Sequence, residues 1–256
     1  MKLVIANWKL NPSTEDEAIE LAKKEDLDGV ILMPPLSFLA GVGDVLKKAK
    51  LGSQDVFYED EGAYTGEVSS EQLESVGVKY VLVGHSERRA MGETETQINK
   101  KVRAALKEGL IVVLCVGEKE RKDITGAKDF VKAQLESALD KVASSQLAGR
   151  DDKVAPRCAR DDCDAGRVII AYEPVWAISS HSGGASDTPE DAAEMIGSIK
   201  EFLEAKSYKL EAILYGGSVN GEDAKGFLDK EEIDGVLVGS ASLKSEEFKK
   251  IVETAS

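Results

Sequence analysis

Short apolar runs, many of them β-branched, recur along the chain with longer amphipathic stretches between them. The runs are Leu3–Ala6, Gly29–Met33, Leu51–Val56, Tyr80–Val83, Ile111–Val116, Val168–Tyr172, Ala212–Leu214 and Val236–Val238. Several show no polar alternation, as expected of parallel strands covered on both faces. The stretches between them carry helix start signals. Ser13-Thr14-Glu15-Asp16 fits a cap for the first helix. Thr188-Pro189-Glu190-Asp191 reads as a cap, a proline at the first helical position and a carboxylate at the third. A long fifth helix is expected over about Gly126–Gln146. Eight strand–helix units in order predict an α/β fold, a closed (β/α)8 barrel forming a single domain over residues 1–256. The pattern alone also fits a doubly wound open sheet.

Size and composition narrow this further. The 256 residues match one such barrel, and 42% hydrophobic content supplies its core. No apolar run reaches the roughly 18 residues of a membrane span, and the stretch Met1–Asn7 is too short for a secretory signal, so a soluble cytoplasmic protein is expected. A formal charge of −14 argues against general binding to nucleic acid or acidic membranes. It also requires that any anionic ligand meet a strong local site. Cys115, Cys158 and Cys163 show no disulfide spacing, and no nearby histidine makes the last two a zinc site. Residues 150–166 are highly polar. This segment lies between a helix and the sixth strand, on the face opposite the chemistry of a barrel, and reads as a solvated insertion.

In a barrel the C-terminal strand ends face the ligand. Those ends carry Asn7 and Lys9 after strand one, and Gly84-His85-Ser86-Glu87-Arg88-Arg89 after strand four. Glu173-Pro174-Val175-Trp176 follows strand six, Tyr215-Gly216-Gly217-Ser218 strand seven and Gly239-Ser240-Ala241-Ser242 strand eight. Lys9 is one of few cations able to face the mouth. His85 precedes what looks like the first turn of a helix, whose partial positive charge favours a neutral ring that donates a hydrogen bond. Glu173 precedes a proline, which holds it at the end of its strand, and the apolar run before it makes this carboxylate a candidate base. Gly216-Gly217-Ser218 and Gly239-Ser240 are candidate phosphate turns, where small residues let backbone N–H groups approach an anion and a following helix adds its dipole. Taken singly, each also fits an ordinary role: a solvated lysine, a structural histidine, an exposed glutamate, a tight turn.

Together these segments resemble the triosephosphate isomerase family. Asn7-Trp8-Lys9, Gly84–Arg89, Ala171–Ile178, Tyr215–Val219 and Gly235–Leu243 look like its signature segments in its order, and Leu114–Glu118 and Gly62–Glu67 match two more. The resemblance implies a TIM barrel and the interconversion of dihydroxyacetone phosphate and D-glyceraldehyde 3-phosphate through an enediol(ate), without metal or organic cofactor. It implies Glu173 as base, His85 and Lys9 as catalytic partners, and Asn7 orienting the carbonyl end. Ser179, Ser218, Gly239 and Ser240 would bind phosphate, with Glu87 supporting Lys9. Gly62–Glu67 resembles a protruding loop that inserts Thr65 beside a partner's catalytic residues, so a homodimer is expected. The chain departs from the family after Ile178. Ser179–Asp187 replaces a Gly-Thr-Gly hinge and is about three residues longer, and His181 falls within it. The alternatives are a phosphate-binding relative with weakened catalysis and an isomerase of another small phosphosugar.

Overall fold

All eight apolar runs become strands, and together they close into a barrel. The computed structural model describes residues 1–142, 168–178, 187–208 and 210–256. The strands are β1 (Leu3–Asn7), β2 (Val30–Met33), β3 (Lys50–Ser53), β4 (Tyr80–Val83), β5 (Ile111–Val116), β6 (Val168–Tyr172), β7 (Ala212–Tyr215) and β8 (Gly235–Val238). Every neighbouring pair is parallel, and β1 pairs with β8 to close the ring. The open doubly wound sheet is thereby excluded.

The lack of polar alternation has a direct structural reason. Along β1, Ile5 points inward with Ile31, Met33, Leu82, Val113, Ile169, Leu214 and Leu237, which fill the barrel. Val4 and Ala6 point outward to the helical layer. Both faces of the strand are dry, so both must be apolar.

That layer comprises α1 (Glu15–Glu25), α2 (Leu39–Val45), α3 (Ser70–Ser75), α4 (Ser86–Ala90), α5 (Glu95–Lys107), α6 (Ile124–Ala138), α7 (Pro189–Ala205), α8 (Ala224–Leu228) and α9 (Ser245–Ala255). Thr14 caps α1 in a reciprocal box with Glu17. Thr188 caps α7, with Pro189 in its first turn and the Asp191 N–H bonded to the Thr188 hydroxyl.

Several boundaries differ from the sequence reading. β2 starts one residue late because Gly29 has φ of +74°. β3 ends at Ser53 rather than Val56. There the chain turns as the Ser53 hydroxyl bonds Asp55 O (2.7 Å), and Gln54 and Asp55 reach sideways to other elements. The helix expected to run to Gln146 starts at Ile124, capped by Asp123, and ends at Ala138. Leu139 leaves helical geometry and Lys141 has φ of +55°. The insertion at 150–166, with Cys158 and Cys163, lies outside the described residues, as does the end of that expected helix beyond residue 142.

Candidate active site

The C-terminal strand ends converge on a cavity of about 410 Å³, lined by Asn7, Lys9, His85, Glu87, Glu173, Ser218, Gly239 and Ser240 among others. Eight of the sequence-predicted residues thus meet in one place. Ser179 and His181 lie outside the described residues. Thr65 is exposed and away from the cavity.

Asn7 ends β1 and is buried, and its side-chain oxygen accepts the Lys9 N–H at 3.0 Å. Lys9 has φ of +54°, a conformation that costs a side-chain-bearing residue energy and persists only where the surroundings impose it. Besides Asn7, Gln54 imposes it: its amide donates to both Lys9 O and Met33 O at 2.8 Å. The sequence reading missed Gln54, since nothing in a strand-end pattern marks a side chain that serves another strand's backbone. The Lys9 ammonium reaches Glu87 Oε1 at 2.5 Å.

His85 is the N-cap of α4, as its sequence neighbours suggest. Its Nδ1 accepts the Glu87 N–H at 3.2 Å. An imidazole nitrogen that accepts carries no proton, so the ring's hydrogen sits on Nε2, which faces the cavity side of Glu173. Gly84, at φ of +74°, makes the sharp entry, and a β-carbon there would come 3.1 Å from Arg89 Nη2 and 3.3 Å from Cys115 O. Arg89 fastens this turn by donating to Gly84 O (2.6 Å) and Cys115 O (3.2 Å). The partly exposed Arg88 and the buried Asp55, Glu93 and Lys101 form an ion-pair group that holds α4 from beneath, with Arg88–Asp55 at 2.9 Å and Lys101–Asp55 at 2.7 Å.

Glu173 is 2% exposed. Its N–H bonds Val116 O at 2.8 Å, and its Oε2 accepts the Ser86 N–H at 2.9 Å. Oε1 lies 3.2 Å from His85 Nε2, off the line of that N–H, and has no hydrogen-bond partner among the described residues. A buried carboxylate oxygen without a partner is costly, and this one is beside the cavity. Behind it, burial and then the Glu173 charge push the Cys115 thiol well up, so Cys115 stays a protonated, inert wall.

The two phosphate candidates differ. Gly239 leads directly into a one-turn 3₁₀ helix, Ser240–Leu243, whereas α8 begins only at Ala224, well past Gly216-Gly217-Ser218. The expected helix dipole is therefore present at the first turn and missing at the second. The Ser218 hydroxyl donates to Ala177 O at 3.0 Å. Among the described residues, no group of three or more His, Cys, Asp or Glu is arranged to hold a metal ion.

The family model described as triosephosphate isomerase matches residues 2–255. The chain belongs to the triosephosphate isomerase family. It is 38% identical to the triosephosphate isomerase of Aquifex aeolicus, over 98% of both chains. It is 37% identical to that of Dictyoglomus thermophilum over 99% of both, and 40% identical to that of Cytophaga hutchinsonii over 96% of both. Membership extends over nearly the whole chain, so the family's activity applies to the whole chain: it is an isomerase of triose phosphates, a reaction of glycolysis. The weakened-relative and other-sugar alternatives are not favoured. No helix among the described residues is long and apolar enough to cross a membrane.

Proposed function

We propose that Glu173 is the base of this triosephosphate isomerase, with His85 and Lys9 stabilising the charge that develops on the substrate. The single observation that carries this reading is the unpartnered, buried Oε1 of Glu173 beside a cavity into which His85 Nε2 and Lys9 also point. In the ketose-to-aldose direction, a Glu173 oxygen takes the proton from C1 of dihydroxyacetone phosphate. The C–H electron pair becomes the C1–C2 double bond, and the carbonyl π pair moves to O2 as an enediolate. The neutral His85 ring donates its Nε2–H to that oxygen, the Lys9 ammonium adds a positive charge, and Asn7 orients this end. His85 Nε2 passes its proton to O2 and takes the O1 hydroxyl proton in its place, so the enediolate charge moves to O1. Glu173 then returns its proton to C2 as the C1–C2 π pair forms the new C–H bond and an O1 lone pair closes the C1 carbonyl, giving glyceraldehyde 3-phosphate. Donors fixed in advance cost little reorganisation as charge develops and contribute a few kcal/mol each.

Backbone N–H groups at Ser218, Gly239 and Ser240 bind the phosphate, with Ser179 as a further donor and Glu87 holding Lys9. The enzyme is a cytoplasmic homodimer in which Thr65, exposed on one subunit, approaches the partner's site. The same reaction serves gluconeogenesis in reverse. A coupled assay with glyceraldehyde 3-phosphate tests the roles. Glu173→Ala should lower kcat by at least the roughly 10²–10⁴-fold usual for loss of a general base. His85→Ala should slow turnover while leaving phosphate affinity near wild type, because it acts on charge that appears later. Near wild-type turnover in either folded variant would remove that residue from the scheme.

A further inference from the structure

The segment that follows the proposed base is held by a buried cluster that the reaction scheme does not use. Trp176 lies just after Glu173, and Asp187 lies just before the cap of α7. Both meet on one guanidinium. Arg121, from the connection between β5 and α6, places its guanidinium carbon 5.5 Å from the Trp176 ring centre and Nη1 3.3 Å from Asp187 Oδ1. The Asp187 side chain is 0% exposed and that of Arg121 12%. The Trp176 indole donates to Glu118 Oε1 at 2.8 Å, and the same carboxylate accepts the Tyr172 hydroxyl at 3.0 Å. Tyr172 is the residue before Glu173. An uninterrupted set of contacts therefore runs from Asp187 through Arg121, Trp176, Glu118 and Tyr172 to the base.

We propose that Asp187 is a positioning residue for Glu173, acting through Arg121 and the Trp176 ring. Its charge fixes the guanidinium over the indole; the indole and Tyr172 together fix Glu118, and this defines where the β6 end places the base. The proposal rests on Glu173 being that base. The cluster is only partly satisfied. Among the described residues, Asp187 Oδ2 and Arg121 Nη2 are both buried without hydrogen-bond partners, so the Arg121–Asp187 contact is single rather than forked and has little in reserve.

Burial raises the Asp187 carboxyl to about 6, partly opposed by Arg121. The groups facing it are Arg121 and Glu118, Asp191 on α7, and the Tyr215 hydroxyl on β7. Tyr172 and Glu194 lie around Arg121 itself. Of these carboxylates, Asp191 is half exposed and 3.5 Å from Arg121, so it is screened. Protonating Asp187 therefore removes the guanidinium's only buried carboxylate contact among the described residues.

The test uses the intact enzyme. Asp187→Asn keeps the shape and removes the charge. It should lower kcat about 5- to 50-fold with KM changed less than 3-fold, because the base is misplaced while the phosphate contacts remain. Trp176 and Trp8 are the two tryptophans. Indole emission should titrate between pH 5 and 7 in the wild type and be flat there in Asp187→Asn. Arg121→Ala should lower kcat similarly, and adding Asp187→Asn to it should cost nothing more. Asp191→Asn is the control and should match wild type in both readouts. The emission titration should persist in Glu173→Ala, so a failure of the base assignment is separable from a failure of this one. Wild-type kcat in Asp187→Asn, additive effects in the double variant, or an unchanged titration would each overturn the proposal.

Discussion

Glu25 sits at the last turn of α1 with its side chain wholly buried. One oxygen accepts the Trp8 indole N–H at 3.1 Å, and the other has no partner among the described residues. Burial raises its carboxyl from 4.5 to about 8, with Trp8 and more distant Lys249 opposing. The folded state therefore holds this proton far more tightly than the unfolded chain does. The resulting stability is fully present below about pH 4.5 and is lost as pH rises through about 8. At about 1.4 kcal/mol per unit, the whole window is worth on the order of 5 kcal/mol, and by pH 7 about 3 kcal/mol is already gone. Glu25→Gln keeps an acceptor for Trp8 and cannot ionise. Urea unfolding from pH 5 to 9 at one fixed protein concentration compares the two, because an oligomer's apparent stability depends on concentration. The variant should match wild type within about 1 kcal/mol at pH 5 and exceed it by several kcal/mol at pH 8.5. Every other titrating group, Asp187 included, is common to both proteins and cancels in the difference. Two stability curves that run parallel across this range would refute the reasoning, since Glu25 would then have found charge compensation that its contacts do not provide.

Two further perturbations probe the scaffold. Lys101→Met removes the ammonium that pairs with buried Asp55 and Glu93, and stranding those carboxylates should cost about 3–5 kcal/mol in chemical denaturation; a change under 1 kcal/mol would show that Arg88 alone suffices. Gly117→Ala would put a β-carbon 1.8 Å from Glu173 O, so β5 and β6 must separate at the base, and kcat should fall at least about 10-fold as the carboxylate shifts; unchanged turnover would mean that the strand ends move without moving Glu173.

Much of this was legible in the chain because parallel barrels impose strong rules on sequence. Strands dry on both faces read as unbroken apolar runs, and seven of the eight were placed within a residue at each end. A proline after Glu173 and a glycine before His85 marked the strand ends, and from there both side chains reach the cavity. What escaped was a set of long-range contacts, several made by residues inside the very segments the sequence singled out. Gln54, Ser86, Glu118, Arg121 and Asp187 act by touching residues distant in the chain. Strand periodicity carries no information about which side chain crosses to a neighbouring loop. The overlong fifth helix is the other lesson. Its apolar spacing continues past Ala138, yet Leu139 and Val142 are buried without being helical. The tertiary contact kept the burial and ended the helix.

The site also answers how a chain of net charge −14 attracts a phosphate. The charged groups among the described residues that line the cavity are Lys9, Glu87, Glu173, Lys244 and Glu247, three carboxylates against two ammonium groups. Lys9 is already paired with Glu87, so it presents a fixed dipole rather than a bare cation. Net charge therefore cannot supply the attraction. Backbone N–H groups can, because their partial positive charge is locked by the fold and loses nothing to reorganisation when the anion arrives. Gly239 is suited to this, since it has no side chain and leads straight into the Ser240–Leu243 turn. The same division of labour explains the energetic cost at Lys9. Holding its backbone at φ of +54° spends stability to aim one ammonium at the cavity while Glu87 limits how far its charge reaches. Charge in this site is aimed rather than accumulated, and that is compatible with a strongly acidic surface.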